Sequence, residues 1–156
     1  MSENKPKKKK WRKILLWGFG ILVLIFAVIY WIVATEKFSP TKERKAAFEV
    51  NAIDFIREFR KNDSLANAKY REKIVVLNGI VNELDSPDSA TVNVKIVDTA
   101  TGDYAIFAFQ EQYLAEARGV KLGDNVSIKG SCSGSSFSEI LGVYSIPFKR
   151  STLNKQ

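Results

Sequence analysis

Two loops carry paired carboxylates, Asp85-Ser86-Pro87-Asp88-Ser89 and Asp98-Thr99-Ala100-Thr101-Gly102-Asp103. Paired carboxylates are where acid–base or metal chemistry begins. Here Ser, Pro, Thr and Gly around them are turn-forming residues, and turn chemistry accounts for the aspartates. The D-x-[DN]-x-[DN]-G calcium-loop pattern is missing. The chain has no histidine, which excludes Ser-His-Asp and Cys-His nucleophile pairs and His-ligated zinc. Cys132 is the one cysteine and has no internal disulfide partner. It lies in an alternating stretch that predicts a buried strand position. Gly119 and Gly123 around Lys121 do not have the spacing of a phosphate-cradling loop. The sequence therefore predicts a protein without catalytic residues, metal or cofactor, and leaves binding as its chemistry.

Binding needs a surface, and the periodicity says which elements build one. Phe48, Ala52, Phe55, Ile56 and Phe59 recur at spacings of three and four, the pattern of an amphipathic helix. Ser39-Pro40 supplies an N-cap and a first-turn proline, so residues 40–70 are predicted as a helical segment broken at Asn62-Asp63-Ser64. From Lys73 the period becomes two. Val75, Leu77, Gly79 and Val81 share one face of a first strand, the glycine suggesting a bend. Val92, Val94 and Ile96 alternate with Thr91, Asn93 and Lys95 in a second strand, and Tyr104–Phe109 form a third. Gln110–Arg118 read as a short helix. Val126, Ile128, Gly130 and Cys132 mark a fourth strand, and Phe137–Phe148 a fifth ending near Pro147. Three meandering strands, a helix and two further strands give the order of the five-stranded OB barrel, predicted here over residues 71–150 with a tail at 151–156. Such barrels bind across strands two and three. That singles out Asn93, Lys95, Tyr104 and Phe107 as binding candidates, with the strand-three face that fills the barrel still to be decided.

The N-terminal third reads differently. Residues Ile14 to Val33 contain no charge, and fourteen of the twenty are Ile, Leu, Val or Phe. At about −0.3 to −0.6 kcal/mol each, these supply roughly −4 to −8 kcal/mol toward insertion in a bilayer, and twenty residues cover about 30 Å as a helix. Trp11 and Trp17 at one end, and Tyr30 and Trp31 at the other, suit the two membrane interfaces. Seven basic residues precede this stretch and four follow it within twelve residues, which predicts a cytoplasmic N-terminus (residues 1–13) and an extracytoplasmic C-terminal part beyond a stalk at 34–39. A cleaved signal peptide would have a shorter apolar core and small residues at its cut site; a cut after Ala34 would place Ile32 at the −3 position. No cysteine stands just after the span to accept a lipid. The expected setting is thus a plasma membrane, crossed once.

The net charge of +7 belongs to this tail: without the seven basic and one acidic residues of the first 33, 17 basic residues face 16 acidic ones. A near-neutral domain on the far side of a membrane argues against nucleic acid as its partner and for a protein or an envelope oligosaccharide. A single-stranded nucleic-acid binder, suggested by the fold alone, is the alternative.

The run from Phe48 to Phe148, two-thirds of the chain, resembles the tRNA-anticodon-like OB-fold family, mostly bacterial envelope proteins with a leading helix. The matching pieces are Ala66, Tyr70, Lys73, Ile74 and Val75, the V-x-L-x-G-x-V run of Val75 to Val81, and L-G-D-N-V-S-I-K-G-S-C-S-G from Leu122 to Gly134. The resemblance implies an OB barrel and no catalytic residue; the family name records likeness to anticodon-binding domains. Members often carry a second cysteine in the last strand able to face the one in G-x-C-x-G. Tyr144 stands at the matching place here, so that disulfide is not expected.

Overall fold

The computed structural model describes residues 8–35, 40–88, 91–109 and 111–154. It divides into two units, residues 1–38 and 39–156. The first holds one helix, α1 (Lys8–Thr35). Its side chains are described from Trp17 to Trp31 and all are exposed. Among the described residues no helix is long and apolar enough to cross a membrane. The expected span of Ile14 to Val33 extends past that stretch at both ends, and the stretch alone is shorter than the roughly twenty residues a bilayer needs. Trp11 lies outside the residues with described side chains, whereas Trp17, Tyr30 and Trp31 are exposed on α1.

The second unit is mainly β. Its elements are β1 (Phe48–Asn51), α2 (Ala52–Lys61), α3 (Asp63–Tyr70), β2 (Ile74–Ile80), β3 (Glu83–Asp88), β4 (Thr91–Val97), β5 (Tyr104–Phe109), a 3-10 turn (Glu111–Tyr113), α4 (Leu114–Arg118), β6 (Asn125–Cys132), β7 (Ser136–Ser138) and β8 (Val143–Leu153). The sheet order is β1-β2-β6-β8-β5-β4-β3, with β7 on β8.

The long helix expected over residues 40–62 is replaced by a turn, a strand and a shorter helix. The Asn51 side-chain oxygen accepts from the Ile53 and Asp54 N–H groups at 2.9 and 3.4 Å, so the helix begins at Ala52. Phe48 fits the helical spacing but belongs to β1, which pairs in parallel with β2. Asn62 ends α2 and caps α3 through the Leu65 N–H.

The expected five-stranded barrel is corrected to an open eight-stranded sheet. Its first strand is two: β2 pairs with β6 while β3 pairs with β4, and Val81-Asn82 separate them. The two halves of one bent segment therefore sit on opposite branches of the ladder, joined by the chain and not by hydrogen bonds. The turn expected at Asp85–Ser89 is largely strand β3. Pro87 is tolerated because β3 is an edge, with a register shift between Asp85 and Asp88. The fifth strand is likewise a hairpin, β7 and β8, turning at residues 139–142, where Gly142 has φ +67°. Pro147 does not end β8, which runs on to Leu153.

Gly79 does not mark a bulge. A Cβ there would come within 2.8 Å of the Ala52 Cβ and 3.2 Å of Ile96, so the glycine is where α2 sits down on β2. From that contact α2 buries Phe55, Ile56 and Phe59, each contributing about 1.5–3 kcal/mol. Phe55 packs against Phe59, Tyr70 and Phe148, and Phe107 stacks on Phe148 at 4.6 Å. The leading helices and the sheet share one core.

Candidate functional site

Alternation on β4 and β5 buries Val92, Val94 and Ile96, and Ala105, Phe107 and Phe109. The opposite parity faces outward. Asn93 stands between Asp85 and Ala108, and Lys95 between Glu83 and Ile106. Tyr104 lies between Val97 and Ser145. Three of the four binding candidates thus share one outer face. Phe107 does not: it is fully buried and its stacking on Phe148 makes it core.

Lys95 is engaged within this face. Its Nζ lies 2.7 Å from Glu83 Oε2 and 5.4 Å from the Tyr104 ring centroid. The hydrogen bond that Lys95 donates to Glu83 is the main cause that raises the Lys95 ammonium above the usual lysine value. Glu83 and Asp85 against Lys95 make the face mildly acidic, and Tyr104 is covered on one side by the lysine. Such an arrangement suits mixed polar and apolar contact better than a phosphate backbone.

The carboxylates of the β4–β5 loop do more than turn the chain. Asp98 is 2 % exposed and Asp103 fully buried, and α2 reaches both. Arg57 Nε donates to Asp98 Oδ2 at 2.7 Å, and Arg60 Nη1 donates to both Asp103 oxygens at 2.8 and 3.1 Å. Asp103 also accepts from the Thr101 hydroxyl and the Tyr144 N–H, each at 2.8 Å. The Arg57 guanidinium is the main influence that holds the Asp98 carboxyl below the usual carboxylate range, assisted by the Ala100 N–H. Sequence reasoning missed this clamp because the partners are 41 and 43 residues apart. Arg57 and Arg60, on one side of α2 just off its apolar stripe, were the available signal.

Cys132 is buried, and burial pushes its thiol up to about 11. Its register partner on β8 is Phe148, while Tyr144 pairs with Phe137. A cysteine at position 144 would not stand opposite Cys132. Among the described residues, no group of three His, Cys, Asp or Glu could hold a metal ion.

A bent, Greek-key-like sheet with a leading helix pair and a capping helix between β5 and β6 defines an OB-fold-like binding domain. The chain belongs to the tRNA_anti-like family, whose sequence model covers residues 7–142. Among solved structures it is similar to a protein of Klebsiella pneumoniae subsp. pneumoniae, described provisionally as a nucleic acid-binding lipoprotein. That match has 16% identity and a TM-score of 0.51, covering 69% of this chain and 92% of the other. At that identity the likeness shows the fold alone. No curated protein matches the chain.

Proposed function

We propose that this chain is a non-enzymatic, single-pass protein of the bacterial plasma membrane whose binding domain lies outside the cytoplasm and engages a protein partner or an envelope oligosaccharide. The observation that carries the binding class is the β3–β4–β5 outer face, where Asn93, Tyr104 and Ile106 are available and the single lysine is neutralised by Glu83. The anchor is supported by the uncharged run Ile14 to Val33 within a continuous helix of 28 residues and by the excess of basic residues before it. Protease treatment of spheroplasts tests the topology: the C-terminal domain is digested if the reading holds, and a protected domain rejects it.

The name given to the Klebsiella protein favours a second reading, a single-stranded nucleic-acid binder. It requires a cationic track beside exposed aromatic rings. Fluorescence anisotropy of labelled oligonucleotides at low salt separates the two. Tight, salt-sensitive binding lost on charge reversal at Lys95 would establish the second reading against the first.

A further inference from the structure

The outer face of β2 and β6 has a covered part and an open part. In the covered part Val76, Lys129 and Thr152 are buried beneath the segment carrying Thr41 and Lys42. Lys129 Nζ donates to the Lys42 carbonyl at 3.2 Å, and Lys42 pairs with Glu116. Two residues further along the same strands, the face is open and lined with amides. Asn51 is in register with Asn78 and Asn78 with Ser127. The Asn154 N–H donates to the Ser127 carbonyl at 2.9 Å, extending the row to the end of β8. Asn125 stands in the next position, opposite Ile80. Two depressions of about 360 and 530 Å³ meet at Asn78 and Asn125, and among the described residues no Asp, Glu, Lys or Arg lines either. Glu49, which lines neither depression, accepts from Asn78 Nδ2 at 3.3 Å.

Local structure explains part of this row. Asn51 caps α2, and Asn82, at the rim, accepts from the Val97 N–H at 2.8 Å. Asn78 caps no backbone group; its amide donates to the Glu49 side chain. It lies in a strand interior, where asparagine is disfavoured and threonine or valine would pack better. Asn125 makes no side-chain hydrogen bond among the described residues.

We propose that this amide row binds a neutral, linear oligosaccharide lying across the strands. The proposal rests on the reading of the domain as a binding module and names its ligand class. A carboxamide offers donors and an acceptor on one side chain, which matches sugar hydroxyls that both give and accept hydrogen bonds. Neighbouring strands are about 4.8 Å apart, close to the length of one pyranose ring, so successive rings meet successive side chains. Ile80, 56% exposed, and Ile53 supply apolar contact for the C–H faces of the rings. A phosphate chain finds no cation in the groove. An extended peptide would pair along a free strand edge, not across strands.

Isothermal titration of the full chain, in a detergent without a sugar headgroup, with the β-1,4-linked tetramers of glucose and of N-acetylglucosamine tests the site. The expected result is saturable binding of at least one tetramer, weakened about tenfold by Asn78→Thr and by Asn125→Ala. Threonine suits a strand better than asparagine, so Asn78→Thr keeps the fold, and an unchanged melting curve verifies it. No binding of either tetramer at millimolar concentration overturns the site, as does binding that survives the double variant. Displacement of the sugar by oligothymidylate overturns it in favour of nucleic acid. Its failure is distinct from failure of the proposed topology. A cytoplasmic C-terminal domain that binds sugar through Asn78 rejects the topology and sustains the site, and an extracytoplasmic domain without sugar binding does the reverse.

Discussion

Replacing Asp103 by alanine removes the acceptor that ties α2, the β4–β5 loop and β8 together. Three groups lose their partner: the Arg60 guanidinium, the Thr101 hydroxyl and the Tyr144 N–H. A hydrogen bond to a charged group contributes about 1.5–3 kcal/mol, and a buried donor left unsatisfied costs about 1–3 kcal/mol. The Arg60 side chain is 41% exposed and rehydrates on losing its partner, so its share falls to about 1 kcal/mol. Relief of the buried carboxylate's desolvation offsets part of the rest. The net loss is about 3 kcal/mol, a fall of about 12 °C in melting temperature for a domain of this size. Asp103→Asn keeps one acceptor for the Tyr144 N–H and loses about half as much. Thermal unfolding of the full chain in detergent, followed by near-UV circular dichroism of the buried tyrosines, measures both. Glu83→Ala, which breaks the more exposed Lys95 pair, is the comparison and costs at most about 1 kcal/mol. An Asp103→Ala protein melting within about 3 °C of the native one would refute the clamp.

The folded-state pKa of Asp98 is lowered, so its stabilisation is full above the unfolded carboxyl value of about 3.9 and disappears as pH falls below it. The stability gap between the native chain and Asp98→Asn therefore narrows between about pH 5 and pH 3; denaturant melts across that range showing a constant gap would contradict this. Gly79→Ala forces a Cβ against Ala52 and Ile96 and destabilises by about 1–3 kcal/mol, read as a shift in urea midpoint at unchanged slope. With its thiol near 11, Cys132 holds roughly one thiolate per thousand molecules at pH 8. It stays unreactive toward a disulfide reagent until the chain is denatured, and rapid native labelling would show that it is accessible.

Much of this arrangement was legible because burial alternates cleanly along β4 and β5 and apolar residues recur at period two in β6. Strands β4, β5 and β6 and the α2 stripe of Phe55, Ile56 and Phe59 appear where period two and period 3.6 place them. The parity of β5 was not legible, since Ile106 and Phe107 are both apolar and either face could have filled the core. Strand β1 escaped notice because it has four residues, its partner lies 27 positions on, and Phe48 fits the helical spacing as well. Pro87 and Pro147 read as terminators, yet both sit inside strands, one at an edge and one beside bulged pairings. The arginine clamp and the amide row depend on register, which brings distant residues together and leaves no local signature. Asn51, Asn78 and Asn154 look like scattered polar residues until four strands, β1, β2, β6 and β8, are aligned.

Strand β8 has a consequence for how the molecule is made. It is the last of the described strands in sequence, yet it sits in the middle of the sheet, with β5 along one flank and β6 and β7 along the other. Until β8 is made, the two arms of the sheet are linked through α2 and the Val81-Asn82 connection and not by strand pairing, and Phe55 and Phe107 wait for Phe148. The domain therefore completes only once β8 has been synthesised. Truncation before Val143 would remove this keystone and leave β6 and β5 with no strand between them.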